Sequence, residues 1–182
     1  MPRLFVAIDP GPTATAALAA LQQGLAGANW TPPEQFHLTL FFIGEVDRET
    51  GERARAILRE ARAEPFDLEL QGLGCFPPRR APRVLWAGTA ASPPLLSLQG
   101  RIERLLRRCG LAPERRRFSP HITLARFRAA PSRGLGDYLR ARSLFRTGPW
   151  RVDAFYLYSS ILDQAGALHR REECYPLASD GG

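Results

Sequence analysis

Two tetrapeptides, His37-Leu38-Thr39-Leu40 and His121-Ile122-Thr123-Leu124, constrain the fold of this chain more than any other feature. Each runs histidine, aliphatic, threonine, leucine. In a β-strand alternate side chains share a face, so each histidine points with its threonine while the aliphatic residues pack behind. The fold must therefore supply two strands, each with one packed and one open face. With eight threonines in 182 residues, a given histidine has threonine two places on about four per cent of the time by chance. One copy would be a weak signal; two among three histidines is a strong one. If the two strands meet about a pseudo-twofold axis, two imidazoles and two hydroxyls converge on one cleft.

The remaining elements follow from apolar periodicity and breakers. Arg3 to Asp9 reads as a buried strand broken by Pro10-Gly11-Pro12, after which Thr13 can cap a helix to about Gly24 or Gly27. A turn at Thr31 to Glu34 precedes the first histidine strand, His37 to Ile43, which Gly44 ends. Asp47 to Ala63 is an amphipathic helix, and Phe66 to Leu73 alternates as a half-buried strand. Beyond a stiff basic loop, Phe76 to Pro82, come a strand at Val84 to Thr89 and a helix at about Pro94 to Cys109, stopped by Gly110. His121 to Phe127 is the second histidine strand and Gly136 to Leu144 a short helix. Val152 to Leu162 and Leu168 to Leu177 form a closing antiparallel pair turned at Gln164-Ala165-Gly166. Paired strands among helices indicate an α+β fold, approximately duplicated, with one histidine strand in each half. No flexible linker divides residues 1–177, so they read as a single domain, and 178–182 as a disordered tail.

Composition narrows the function classes. The net charge is +7 and all 25 basic residues are arginine. A basic surface fits an anionic partner such as RNA. Without lysine the chain has no P-loop lysine, no Schiff base and no lysine–nucleotide adduct of the kind an ATP-dependent ligase forms. Cys75, Cys109 and Cys174 are isolated from one another, with neither zinc spacing nor an even count for a disulfide framework. No apolar run approaches the roughly 20 residues that cross a bilayer, and the opening apolar stretch is too short for a signal peptide. These readings point to the cytoplasm.

The chemistry open to two histidines and two threonines in one cleft is specific. Histidine titrates near neutrality, so one ring can be neutral while the other is charged. That pair suits a base and an acid on opposite sides of one reacting centre. The threonine hydroxyls can hold phosphate oxygens. Two histidines without an adjacent carboxylate or cysteine make a poor metal shell, so neither metal nor cofactor is expected.

On these residues the chain resembles the 2H phosphoesterase superfamily, specifically the bacterial and archaeal RNA 2′,3′-cyclic phosphodiesterases, also called 2′-5′ RNA ligases. The likeness spans nearly the whole chain: Arg3 to Ile8, Trp30 and Pro33, His37 to Gly44, Gly74 to Pro77, Arg83 to Trp86, Phe118 to Arg126, Leu157 to Ser160 and Tyr175 to Leu177. It implies a bilobal, pseudo-symmetric fold, with two antiparallel sheets lining a central groove and helices outside. It also implies catalytic roles for His37 and His121, phosphate binding by Thr39, Thr123 and Arg126, and hydrolysis of the cyclic phosphate to a 2′-phosphate. His37 is taken as proton donor and His121 as acceptor, with the symmetry of the motif leaving the reverse assignment nearly as good. Arg126 raises a tension, because strict alternation puts it on the face of Ile122 and Leu124; the implied role needs the strand to twist, end or bulge near Ala125. His169 stands where the family usually has tyrosine, a position read as peripheral.

Arg115, Arg116 and Arg117, with the arginines of the Phe76 to Pro82 loop and Arg83, flank the histidine strands and could follow an RNA backbone. Trp30, Phe41 and Phe76 are candidates for stacking a terminal base, with core packing at least as good a reading for Phe41 and Trp30 the more exposed candidate. The expected partner is RNA ending in a 2′,3′-cyclic phosphate, tRNA fragments being one candidate, bound by a monomer. The alternatives are ATP-independent 2′-5′ RNA ligation, a non-catalytic RNA-binding module, and a phosphodiesterase of small cyclic nucleotides.

Overall fold

The structure, a computed structural model, describes residues 3–77, 81–113, 117–129, 134–163 and 166–178. The elements follow the chain as β1 (Arg3–Ile8), α1 (Pro12–Ala20), β2 (Ala28–Trp30), a 3-10 turn (Pro33–Gln35), β3 (Leu38–Glu45), α2 (Arg48–Leu58), β4 (Phe66–Leu68) and β5 (Leu70–Phe76). After them come β6 (Val84–Thr89), α3 (Pro93–Arg108), β7 (His121–Phe127), α4 (Leu135–Ala141), β8 (Trp150–Val152), β9 (Ala154–Asp163) and β10 (Gly166–Pro176). The α+β reading holds, with some boundaries moved. Pro12 occupies the first turn of α1, where its missing N–H costs nothing, so Gly11 rather than Thr13 stands at the cap. Asp47 caps α2 by accepting from the Thr50 N–H at 2.7 Å. The expected strand Phe66 to Leu73 divides at Glu69, because β4 pairs with β8 while β5 pairs with β6. Ala178, expected in the tail, bridges Ala63, whereas Gln164 and Ala165 of the closing turn and residues 179–182 lie outside the described residues.

One antiparallel sheet runs β10-β9-β1-β3-β7-β6-β5, with β2 added beside β7, and β4 and β8 make a separate ribbon. The long sheet consists of two four-stranded lobes, each built around one histidine strand. They are joined through β3 and β7 at one residue pair, Leu38 with Ile122. Behind the junction the lobes share one core, in which Leu18 of α1, Leu38, Leu58 of α2, Leu85, Leu98 and Ile102 of α3, and Ile122 are fully buried. Helix α3 shows why: Leu95, Leu98, Ile102, Leu105 and Leu106 recur at helical spacing and all face inward. Fully burying each such side chain is worth about 1.5–3 kcal/mol. The opposite face of the first lobe carries a smaller cluster of Phe5, Ala7 and Tyr158. Strand β1 is thus apolar on both faces.

Candidate active site

The pair Leu38–Ile122 sets the geometry of the groove. Its antiparallel register, carried one residue each way, lays His37 beside Thr123 and Thr39 beside His121. All four side chains fall on the face opposite the buried Leu38 and Ile122. The tetrapeptides therefore meet diagonally, each histidine next to the other strand's threonine.

A bulge in each strand completes the site. Opposite β1, Ala7 pairs with Thr39 and Val6 with Phe41, so Leu40 is an extra residue. Opposite β6, Trp86 pairs with Thr123 and Leu85 with Ala125, so Leu124 is extra. Leu40 and Phe41 are consequently both buried, as are Leu124 and Ala125, and the next residue of each strand returns to the histidine face. That residue is Phe42 in the first lobe and Arg126 in the second. The conflict between alternation and a site role for Arg126 is resolved by this extra residue, and the positive charge of Arg126 bears on His37, His121 and His169. Among the described residues, Arg126 and the hydroxyls of Thr39 and Thr123 make no protein hydrogen bond or ion pair. Their donors remain available to an anion.

Both imidazoles are oriented in the same way. The Nδ1–H of His37 donates to the carbonyl of Gln35 at 2.8 Å, and that of His121 to the carbonyl of Ser119 at 2.7 Å. A carbonyl can only accept, so Nδ1 carries the proton and Nε2 is left for chemistry. His37 is walled by Phe5, at 5.0 Å between centroids, by Tyr158 at 6.1 Å and by the edge of His169 at 4.8 Å. His121 packs edge-on against Phe76 at 5.1 Å, with Trp86 at 6.1 Å. Burial pushes the His37 pKa down to about 4; the Gln35 bond opposes this, and the charges of His169, Arg126 and His121 reinforce it. Burial also lowers His121, against the Ser119 bond, and Arg126 lowers it further. Both rings are neutral at pH 7.

Several sequence expectations change here. Of the two readings of Phe41, base stacking and core packing, the second holds: it is only 5% exposed and packs in the core, whereas Phe42 is 50% exposed, beside Phe5 at 6.0 Å. Trp30 pairs with the buried Ala125 and packs on the core side, near Tyr138 at 6.3 Å, away from the histidine face. Phe76 does stand at the site. Arg115 and Arg116, like Arg79 and Arg80, lie outside the described residues. Arg117 is exposed and lines a cleft with Ser92, Phe118 and Ser119, and Arg83 donates to the Arg128 carbonyl. His169 is not peripheral: the closing hairpin brings it against His37. Gln35, Phe5 and Tyr158 are not assigned to the site by the sequence, because their parts depend on which strands become neighbours. Among the described residues no cluster of three or more histidine, cysteine, aspartate or glutamate side chains is placed to hold a metal ion, and no helix is long and apolar enough to cross a membrane.

A family model for the 2′-5′ RNA ligase superfamily matches residues 10–164. The chain belongs to that superfamily. This superfamily member is 38% identical over 154 residues to an Aeropyrum pernix protein named RNA 2′,3′-cyclic phosphodiesterase, a match covering 81% of this chain and 85% of that one. Its fold superposes on a crystal structure from Thermus thermophilus with a TM-score of 0.83 at 30% identity, covering 98% of this chain and 100% of the other. Escherichia coli LigT, crystallised with 3′-AMP, is similar with a TM-score of 0.80 at 26% identity, over 98% of this chain and 100% of that one.

Proposed function

We propose that the chain is an RNA 2′,3′-cyclic phosphodiesterase that opens the ring by acid–base catalysis between His37 and His121. The observation that carries this reading is the Leu38–Ile122 junction, which brings two imidazoles, two hydroxyls and, through the bulge, one guanidinium to one face. A cyclic phosphate there meets donors for its non-bridging oxygens in Thr39, Thr123 and Arg126. These stabilise the charge that grows on those oxygens at phosphorus. His121 takes a proton from water as its oxygen bonds to phosphorus, and His37 delivers a proton to O3′ as the P–O3′ bond breaks. The products are a 2′-phosphate and a free 3′-hydroxyl. Burial holds the His37 pKa down at about 4, so His37 enters these steps protonated only with substrate bound. The bound phosphate anion favours protonation by offsetting the Arg126 charge. No metal or cofactor enters these steps.

The reading extends to a monomer in the cytoplasm acting on RNA termini, tRNA fragments among them. The names of the relatives support the substrate class. The test is an oligonucleotide ending in a 2′,3′-cyclic phosphate, incubated with chelator, with the phosphate position in the product determined. We expect a 2′-phosphate, and turnover lowered by at least about 10²-fold once both histidines are replaced. Undiminished turnover in His37→Ala/His121→Ala would remove the mechanism. Ligation is the same ring opening with a ribose hydroxyl attacking phosphorus in place of water. Joining of cleaved RNA halves without nucleotide would identify it. RNA affinity without turnover in the wild type would indicate a binding module.

A further inference from the structure

The carbonyl that orients His37 belongs to a residue whose side chain is itself tied down. Gln35 ends the 3-10 turn that precedes β3, and the turn is closed by its own N–H to the Pro32 carbonyl at 2.8 Å. Its side-chain amide pairs with both backbone groups of His169 on β10. The His169 N–H donates to Gln35 Oε1 at 2.9 Å, and Gln35 Nε2 donates to the His169 carbonyl at 3.5 Å. This two-point pairing is what a neighbouring strand would make. It links the turn to the closing hairpin, 134 residues away in sequence. One residue thus grips β10 through its side chain and His37 through its backbone.

The second lobe lacks this arrangement. His121 is held by the carbonyl of Ser119, an exposed residue whose side chain makes no hydrogen bond among the described residues. The tie also explains how the closing hairpin can matter to chemistry that the paired tetrapeptides localise elsewhere.

We infer that Gln35 is a positioning residue: by anchoring the 3-10 turn to the backbone of His169, it holds His37 in the Nδ1–H tautomer with Nε2 directed at the groove. The consequence for turnover rests on the phosphodiesterase reading above; the consequence for the ring does not. Gln35 touches no reacting atom. Releasing it lets the Gln35 carbonyl drift from Nδ1, which admits the other tautomer and misaligns the proton transfer.

The experiment uses Gln35→Met, which keeps side-chain size and removes both hydrogen bonds, and Gln35→Glu, which keeps the acceptor for the 2.9 Å bond. Imidazole nitrogen and proton NMR on the intact protein reads the His37 tautomer directly, with the His121 signals as internal reference. In wild type we expect a protected His37 Nδ1–H. In Gln35→Met we expect that signal lost or in rapid exchange, His121 unchanged, and kcat lowered about tenfold with KM within about twofold. Gln35→Glu restores the Nδ1–H signal. An unchanged His37 signal in folded Gln35→Met overturns the inference, and so does a rise in KM at constant kcat, which would mark Gln35 as a substrate contact. A wild type inactive on cyclic-phosphate RNA would defeat the proposed activity, while the NMR readout would still decide the tie.

Discussion

The two lobes present the same tetrapeptide in unlike surroundings. His37 lies among Phe5, Tyr158 and His169, its carbonyl partner is tied to another strand, and the residue after its bulge is the aromatic Phe42. His121 has aromatic neighbours on its own lobe, Phe76 and Trp86, takes its carbonyl from an exposed loop, and is followed after its bulge by the cation Arg126. A duplicated motif alone would make two equal imidazoles. The packing makes them unequal, with the first more deeply enclosed and pushed down to about 4. The two rings become distinguishable through what surrounds each, since burial penalises the charged form.

The largest effect expected is loss of the chemistry itself. His37→Ala and His121→Ala should each lower turnover on a cyclic-phosphate oligonucleotide by roughly 10²–10⁴-fold, and the double variant should lose little more than the worse single one if the rings act as a unit. Two independent, multiplying losses would break the idea of a coupled pair.

Next in size is the exchange of cation for aromatic across the lobes. Arg126→Met should lower kcat about 10²-fold, because a donor aimed at developing phosphate charge is removed. The reverse outcome, a loss confined to KM, would make Arg126 a binding residue only.

The pH dependence sharpens the comparison further. The kcat/KM profile reports the free enzyme, where burial holds both histidines below 6.5 and His37 at about 4. One ring must be protonated and the other neutral, so both limbs of the bell should lie below 6.5, with kcat/KM falling as pH rises through 7. Bound phosphate favours the protonated rings, so the kcat bell should sit at higher pH. Stability follows with its own sign. The unfolded chain binds a proton at His37 below 6.5 that the folded chain refuses until about 4, so stability is full above that window and declines as pH falls through it, by roughly 3 kcal/mol. Thermal unfolding at pH 7 and pH 4 should show a smaller acid loss in His37→Gln than in wild type; equal losses would contradict the buried, neutral ring.

The smallest effects separate two adjacent phenylalanines. Phe42→Ala should raise KM for an oligonucleotide about fivefold, consistent with a lost stacking surface, and change stability by less than about 0.5 kcal/mol. Phe41→Leu should do the opposite, lowering stability by about 1 kcal/mol with KM unchanged. Denaturant unfolding beside steady-state kinetics distinguishes them.

The sequence showed the two histidine strands, the amphipathic helices α2 and α3 and the α+β class, because each of these rests on spacing within a few residues. It did not show that Leu40 and Leu124 are extra residues in their ladders. A bulge depends on the partner strand's register, and that register is a property of two segments at once. Local pattern therefore left Phe41 open between groove and core; the fold places it in the core, while Phe42 takes the exposed place.

From local pattern alone came the pairing of histidine with threonine on one face, the aliphatic backing that fits each strand to a core, and the absence of lysine chemistry. Only the assembled fold decided that Leu38 meets Ile122, that the final hairpin joins the first lobe, sets His169 against His37 and ties down the Gln35 side chain, and that the two imidazoles differ. The reason is physical. Periodicity tells a side chain which way to point, but its proton affinity and its neighbours come from residues far away in the chain, whose positions are settled by burying a core common to both lobes.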